Sequence, residues 1–342
     1  MDTLRIALPP FLLALISGLI FVPLTIIFFK KMGWLIDPKT TPHPAHIHSQ
    51  PVPKGGGLPI FLAFFLSVTF FVSPDRHLWA IMLAALLTLG IGLWDDVKSI
   101  SPYARLGTNF LATLIIISSG IGISYISNPL GGIIDLSWPW WLADVVALLW
   151  IPILMNAINW SSGVDGQISG VVTIAALVLG GISLNYSADI TQWPVSVLAF
   201  SLAGAFASLT IYHFYPQKIM PGYSATSLAG LLLGVISILA TAKIGALILV
   251  LAIPLVDFSY LIIKRIRSGN SPVWGSKDHL HHKLLSLGWG KRRVALFYWT
   301  LALVMGIISL SLKSGLKVLV MVGLVVVIIY FLWQYSGRSS KS

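Results

Sequence analysis

The sequence predicts an all-α membrane protein, a single bundle of about eleven transmembrane helices. Three observations predict it. Hydrophobic residues make up 56% of the 342 and charged residues only 10%, whereas a soluble domain carries about 25% charge. Mean hydropathy is +0.89. Apolar runs of about 17–25 residues recur from end to end, each long enough to cross a hydrocarbon core of about 30 Å.

The runs fall at roughly 6–29, 57–73, 77–94, 106–126, 142–158, 168–186, 194–214, 224–240, 244–263, 294–312 and 317–334. The first begins near Arg5 and no A-x-A-like cleavage site follows it, so it reads as a retained helix rather than a cleaved signal. An odd number of spans puts the termini on opposite sides. Arg5, Arg76, Lys243, Lys313 and Lys317 fall on the N-terminal side, and the other seventeen of the 22 basic residues fall on the opposite side. The positive-inside rule then puts the N-terminus outside and the C-terminus in the cytoplasm. Five polar loops face inward by the same parity: 30–56, 95–105, 159–167, 215–223 and 264–293. The outward "SWPWW" at 137–141 reads as an interfacial aromatic belt. There is no internal repeat, and residues 1–342 read as one integral membrane domain. The formal charge of +11 is spread among loops, which fits topology and anionic phosphate ligands rather than nucleic acid. Cysteine is absent, which excludes disulfides and thiolate metal sites.

All eleven acidic residues are aspartates, so each one beside a span matters. In "GLWDDVKSISPYARLG" (92–107), Asp95 and Asp96 directly follow an apolar run, where an unpaired carboxylate is expensive. Such a pair can share a divalent cation, orient a phosphate through it, or accept a proton; the plainer reading is a solvated loop start. In "NAINWSSGVDGQISG" (156–170), Asn156 and Asn159 share a helix face, and Gly163 and Gly166 flank Asp165 in a turn suited to an anion. A polar helix cap would look similar. In "SKDHLHHKLLSLGWGKRR" (276–293), His279, His281 and His282 precede Lys283 and the basic Lys291, Arg292 and Arg293. Their spacing is not the i, i+4 of a helical zinc pair, and the adjacent cations favour phosphates. A basic membrane-surface loop explains the cations but not the histidines. In "HIHSQPVPKGGGLPI" (46–60), Lys54 and three glycines open a span as a candidate anion site, or as a hinge. Asp257 lies near the inner end of the ninth run, where Lys264 or Arg265 could pair with it.

Taken in order, these segments resemble the polyprenyl-phosphate N-acetylhexosamine-1-phosphate transferases, the family of the bacterial MraY and WecA enzymes (glycosyltransferase family 4). The resemblance runs from about residue 37 to 293, through "PVPKGG", "GLWDDVKSISP", "NAINWSSGVDG", "IPLVDFSYLIIKR" and "HLHHKLLSLG". The last segment looks more like the WecA branch. The resemblance implies transfer of N-acetylhexosamine-1-phosphate, GlcNAc-1-phosphate for preference, from a UDP-sugar to undecaprenyl or another polyprenyl phosphate. UMP is released, and the step opens cell-envelope polysaccharide synthesis. It implies Mg²⁺, with Mn²⁺ as a substitute, held by Asp95 and Asp96. Catalysis would rest on Asp95, Asp96 and Asp165, and substrate binding on Lys54, Asn156, Asn159, His279, His281, His282 and Lys283. The expected setting is the plasma (inner) membrane with a cytoplasmic active site. The expected partners are the two substrates and the bilayer, with a homodimer as an option.

The chain departs from the family pattern at points that matter. Ser162 replaces the first aspartate of the D-G pairs, and "MPGYSATS" (220–227) puts Tyr223 where the family's M-G-D-x-G-S motif has a metal-ligand aspartate. The histidine segment lacks the usual aspartate spacing, with Asp278 beside His279, and Ala45 stands in place of an arginine before His46. Two readings accommodate these changes: a divergent active transferase, or a protein that binds polyprenyl phosphate or a nucleotide sugar without turnover. A transporter of lipid-linked substrate is the alternative from another class, but its ionisable groups would gather near the bilayer midplane.

Overall fold

The computed structural model describes residues 3–36, 51–128, 132–185, 191–240, 244–273, 278–311 and 314–336. The early Ala45 and His46, and Lys243 and Lys313 of the topology count, lie outside the described residues. Thirteen α-helices are described: α1 (Thr3–Lys31), α2 (Gly57–Phe71), α3 (Arg76–Val97), α4 (Pro102–Ser118), α5 (Leu142–Trp160), α6 (Gln167–Asn185), α7 (Gln192–His213), α8 (Gly222–Leu239), α9 (Ile244–Val250), α10 (Ala252–Arg267), α11 (Leu280–Ser286), α12 (Lys291–Ser311) and α13 (Ser314–Ser336). Two short antiparallel ribbons accompany them, β1 (Leu35–Ile36) with β2 (Val52–Pro53), and β3 (Tyr125–Ser127) with β4 (Ile133–Asp135).

Each expected span contains a helix, but the spans are unequal. Seven helices are long and apolar enough to cross a membrane by themselves, α1, α3, α5, α6, α7, α8 and α12, and an eighth span results if α9 and α10 are counted together. The sequence reads 244–263 as one run, whereas α9 and α10 meet at an 83° bend. Pro254 accounts for it: proline has no N–H to give the carbonyl four residues back, at the bend itself. The run expected at 106–126 is also corrected. The helix α4 opens at Pro102, four residues before the expected start at 106, capped by Ser101, whose Oγ accepts from the Ala104 amide at 3.2 Å. The helix ends at Ser118, and Gly120 turns the chain with φ +92° into β3. The expected 264–293 loop likewise contains the short α11.

Packing separates lipid-facing from central helices. On α1, Leu4, Leu8, Leu12, Ile16, Ile20 and Leu24 are exposed at every fourth position, a stripe suited to acyl chains. The indoles of Trp138 and Trp140 are exposed too. By contrast, α8 is buried along nearly its whole length. Lipid tails are as apolar as leucine, so such a helix is held by close backbone approach rather than by exclusion from water. A Cβ on Gly230 of α8 would lie 2.3 Å from Cα of Met155 on α5, and one on Gly92 of α3 would lie 2.5 Å from Cα of Ser224 on α8. The central helix is thus clasped by α3 and α5, the two helices whose ends carry the aspartate pair and the asparagines.

Candidate active site

Asp95 and Asp96 occupy the last turn of α3, and both side chains are fully buried. Asp96 serves the N-terminus of α8. Its Oδ1 accepts from the Tyr223 amide at 2.7 Å, and its Oδ2 accepts from the Ser224 amide at 3.3 Å and from the Ser224 hydroxyl in a short contact. First-turn amides of a helix have no partner within it and carry the positive end of its dipole, so a carboxylate satisfies both needs. Gly222 makes the approach feasible: its φ is +68°, and a Cβ there would strike the Asp96 carboxylate.

Asp95 is bound differently. Its Oδ1 accepts from Arg105 Nη2 at 2.7 Å, Arg105 Nε at 2.8 Å and the Ile100 amide at 3.1 Å. Its Oδ2 is buried with no hydrogen-bond partner among the described residues. Lys54 Nζ lies between the two carboxylates, 3.3 Å from Asp96 Oδ1 and 3.9 Å from Asp95 Oδ2. Two cations therefore face two anions, leaving one acceptor oxygen unsatisfied. Arg105 stands inside the aspartate motif but no spacing rule gave it a role.

The loop between α7 and α8 strings the motifs together. The Gln217 amide reaches Asp165 Oδ2 at 3.4 Å, and Lys291 Nζ reaches Asp165 Oδ1 at 3.4 Å. Further along, the Met220 amide donates to Pro53 O, and the Met220 carbonyl accepts from the amides of Gly55 and Gly56 at 3.3 and 3.1 Å. Gly57 N donates to Ser224 Oγ at 3.1 Å. The glycine amides expected to cradle an anion are thus engaged by this loop and by α8, and it is the Lys54 side chain that faces the acidic pair.

Asn159 meets α8, and the histidines meet the end of α5. Asn159 Oδ1 accepts from Thr226 Oγ1 at 2.8 Å, and Ser162 Oγ donates to Asn159 O. Asn156 turns to its own helix, donating to the Pro152 carbonyl at 2.7 Å. Trp160, next to Asn159, meets the His279 ring edge-on at 6.2 Å. His279, His281 and His282 form one cluster, with ring centroids 5.2 Å apart for the first two and 4.4 Å for the last two. The bare Cα of Gly163 leaves room for His281, since a Cβ would lie 2.1 Å from its Nε2. Burial, then the neighbouring His282 and His279, pushes the His281 pKa well below its ordinary value, so the ring is neutral at pH 7. Asp257, expected to pair with Lys264 or Arg265, instead contacts His279 Nδ1 at 2.8 Å, while Lys264 pairs with Asp278 at 2.9 Å and Arg265 stacks over Trp160. Asp257, His279 and His281 also offer ligand atoms within 4.8 Å of one another. Lys283 turns the other way, donating to Leu332 O of α13 at 2.7 Å.

Tyr223 does not direct its hydroxyl to the carboxylates. The hydroxyl donates to Asn109 Oδ1 at 2.8 Å and contacts Arg105 O at 3.2 Å, and the Arg105 guanidinium lies 5.2 Å from the ring centre. The side chain braces Arg105, which in turn holds Asp95.

Comparison with known proteins agrees with this layout. Residues 78–241, from α3 to the end of α8, match the model of glycosyl transferase family 4. The decaprenyl-phosphate N-acetylglucosaminephosphotransferase of Mycobacterium leprae is 27% identical over 304 residues, covering 80% of this chain and 75% of that protein. A probable undecaprenyl-phosphate N-acetylglucosaminyl 1-phosphate transferase of Bacillus subtilis is 26% identical, covering 89% and 84%. The phospho-N-acetylmuramoyl-pentapeptide-transferase of Moorella thermoacetica is 26% identical, covering 90% and 99%. With the ordered motifs gathered around one buried aspartate pair, the chain is similar to these polyprenyl-phosphate and pentapeptide transferases, and its residues 78–241 carry the match to glycosyl transferase family 4.

Proposed function

We propose that the protein transfers GlcNAc-1-phosphate from UDP-GlcNAc to a polyprenyl phosphate such as undecaprenyl phosphate and releases UMP. The observation that carries this reading is the buried, unsatisfied Oδ2 of Asp95 between Lys54 and Arg105, at the end of an apolar helix. A lipid phosphate reaches such a position without leaving the membrane boundary. An oxygen of the lipid phosphate attacks the phosphorus that carries the sugar, a new P–O bond forms, and the bond to the bridging oxygen breaks so that UMP departs with its electron pair.

The reaction gathers several negative charges, so positioning and electrostatic stabilisation dominate it. Lys54 and Arg105 supply fixed positive charge beside Asp95. Asn159 is bonded to α8, Asp165 to the loop before it, and the His279–His282 cluster packs at the end of α5; these groups bind the nucleotide-sugar and its diphosphate. Mg²⁺ fits this donor set through Asp95, because the ion is typically held by one or two carboxylates with substrate phosphates and waters completing its shell. When bound it neutralises diphosphate charge and polarises the phosphoryl group. Asp96 holds the N-terminus of α8 and shares Lys54 with Asp95. The names of the mycobacterial and Bacillus relatives support GlcNAc as the sugar. The basic loops support an inner-membrane protein with this site on the cytoplasmic face. A homodimer is part of the same reading by analogy with the family alone.

One observation favours a second reading, binding without turnover: Tyr223 stands at the family's ligand-aspartate position with its hydroxyl already engaged. UMP release from UDP-GlcNAc by purified protein separates the two. The transferase reading expects release that requires polyprenyl phosphate and stops on EDTA addition. Tight UDP-sugar binding with no UMP from any UDP-sugar would select the second.

A further inference from the structure

Asp257 lies in α10 and is 1% exposed. Its two oxygens face two N–H groups of successive residues: Oδ2 is 2.8 Å from His279 Nδ1, and Oδ1 accepts from the Leu280 amide at 2.9 Å. His279 is the N-cap residue of α11, so the carboxylate pins both the entry of that helix and the ring that precedes it. An ionised carboxylate only accepts. The proton of His279 therefore sits on Nδ1, and Nε2 is the nitrogen left for an outside partner.

His279 is tied to the aspartate pair by contacts already described. Trp160 lies against it, Asn159 is bonded to Thr226, and the first turn of α8 is bonded to Asp96. We propose that Asp257 is a positioning residue of the transferase site: it holds His279 in the Nδ1–H tautomer and presents the Nε2 lone pair as an acceptor to a hydroxyl or amide N–H donor of the nucleotide sugar. This rests on the transferase reading above. Joint metal ligation by Asp257, His279 and His281 would use the same atoms differently. It would require His279 Nδ1 to lose its proton and Asp257 to give up a bond it now makes.

The carboxylate's two oxygens give the test its edge. Asparagine has one oxygen and one NH₂ group. With the Leu280 amide demanding the oxygen, Asp257→Asn turns its NH₂ toward His279 Nδ1, which must then accept, and the proton moves to Nε2. Buried carboxylate-to-amide changes behind a catalytic histidine act through this tautomer reversal. Asp257→Asn is expected to lower kcat on the order of a hundredfold to ten-thousandfold, with KM changed far less. If Asp257 acts through His279, adding Asp257→Asn to a His279→Gln protein costs nothing further.

The experiment combines ¹⁵N-histidine NMR of the solubilised protein with kinetics of the parent, Asp257→Asn, His279→Gln and the double variant. The His279 signal is assigned by its loss in His279→Gln. The proposal expects Nδ1–H in the parent, a switch to Nε2–H in Asp257→Asn, and a double variant no slower than His279→Gln. An Nε2–H tautomer in the parent, as metal ligation through Nδ1 would give, overturns it. So does an Asp257→Asn loss that persists undiminished without His279, since the aspartate would then be structural. Should Asp257→Asn fail to fold, the parent's tautomer and the His279→Gln kinetics decide. A parent with Nδ1–H that turns over no UDP-sugar overturns the transferase reading, and with it the role assigned to His279.

Discussion

Asp95 and Asp96 are adjacent in sequence, yet their surroundings assign them different work. Asp96 spends both oxygens on α8, whereas Asp95 keeps one oxygen free beside Lys54. Asparagine at either position should therefore abolish transfer for different reasons. Asp95→Asn leaves α8 capped but gives up the buried ion pair with Arg105, so it should insert, lose activity and melt below the parent. Asp96→Asn removes an acceptor for a helix N-terminus and should also cost about 1 kcal/mol of stability, the usual value of a lost cap. Thermal melting in detergent beside the UMP assay checks both, and an Asp96→Asn variant that melts like the parent would count against the capping role. Tyr223 supplies a second contrast. If it stands where relatives place a ligand, Tyr223→Asp should lower the Mg²⁺ concentration giving half-maximal activity. An unchanged Mg²⁺ titration would show that position 223 lies outside the metal's reach.

At the scale of elements, the site depends on how closely α3 approaches α8. Gly92 lies one turn before Asp95, with its missing Cβ against the Ser224 backbone. Gly92→Ala should push the helices apart and lengthen the Asp96 bonds, costing about 1–3 kcal/mol as overpacking does and reducing transfer. A variant as stable and active as the parent would show that the crossing tolerates a methyl group. Much at this scale is legible in the sequence. Hydropathy locates the helices because a span must be apolar along its whole length, but apolarity alone hides the early start of α4 at Ser101–Pro102 and the break between α9 and α10. Less legible is the α7–α8 loop. It joins Asp165, the Lys54 segment and Asp96 through backbone groups of Gln217, Met220, Tyr223 and Ser224, and a backbone amide carries no residue signature. The pairing of Asp257 with His279 rather than Lys264 is also invisible along the chain, because it depends on where α11 folds back.

Across the whole molecule, the chemistry-bearing side chains sit at helix ends and connecting loops, while the stripe on α1 faces outward and α8 is enclosed. The positive-inside rule predicts the aspartate end of α3 in the cytoplasm and the tryptophan-rich 137–141 segment outside. The absence of cysteine makes this testable without a background variant. In intact cells a membrane-impermeant maleimide should label Ser137→Cys, and should label Ser99→Cys only after the membrane is opened. The reverse pattern would invert the topology. The most direct test of the central claim follows two atoms at once. UDP-GlcNAc carrying ³²P in the β-phosphate and ³H in the sugar is given to purified protein with polyprenyl phosphate and Mg²⁺, beside Asp95→Asn. Transfer of the sugar-1-phosphate predicts both labels in the lipid at equal molar yield from the parent and neither from the variant. Tritium in the lipid without ³²P would mean that the sugar alone moves, and would contradict the account.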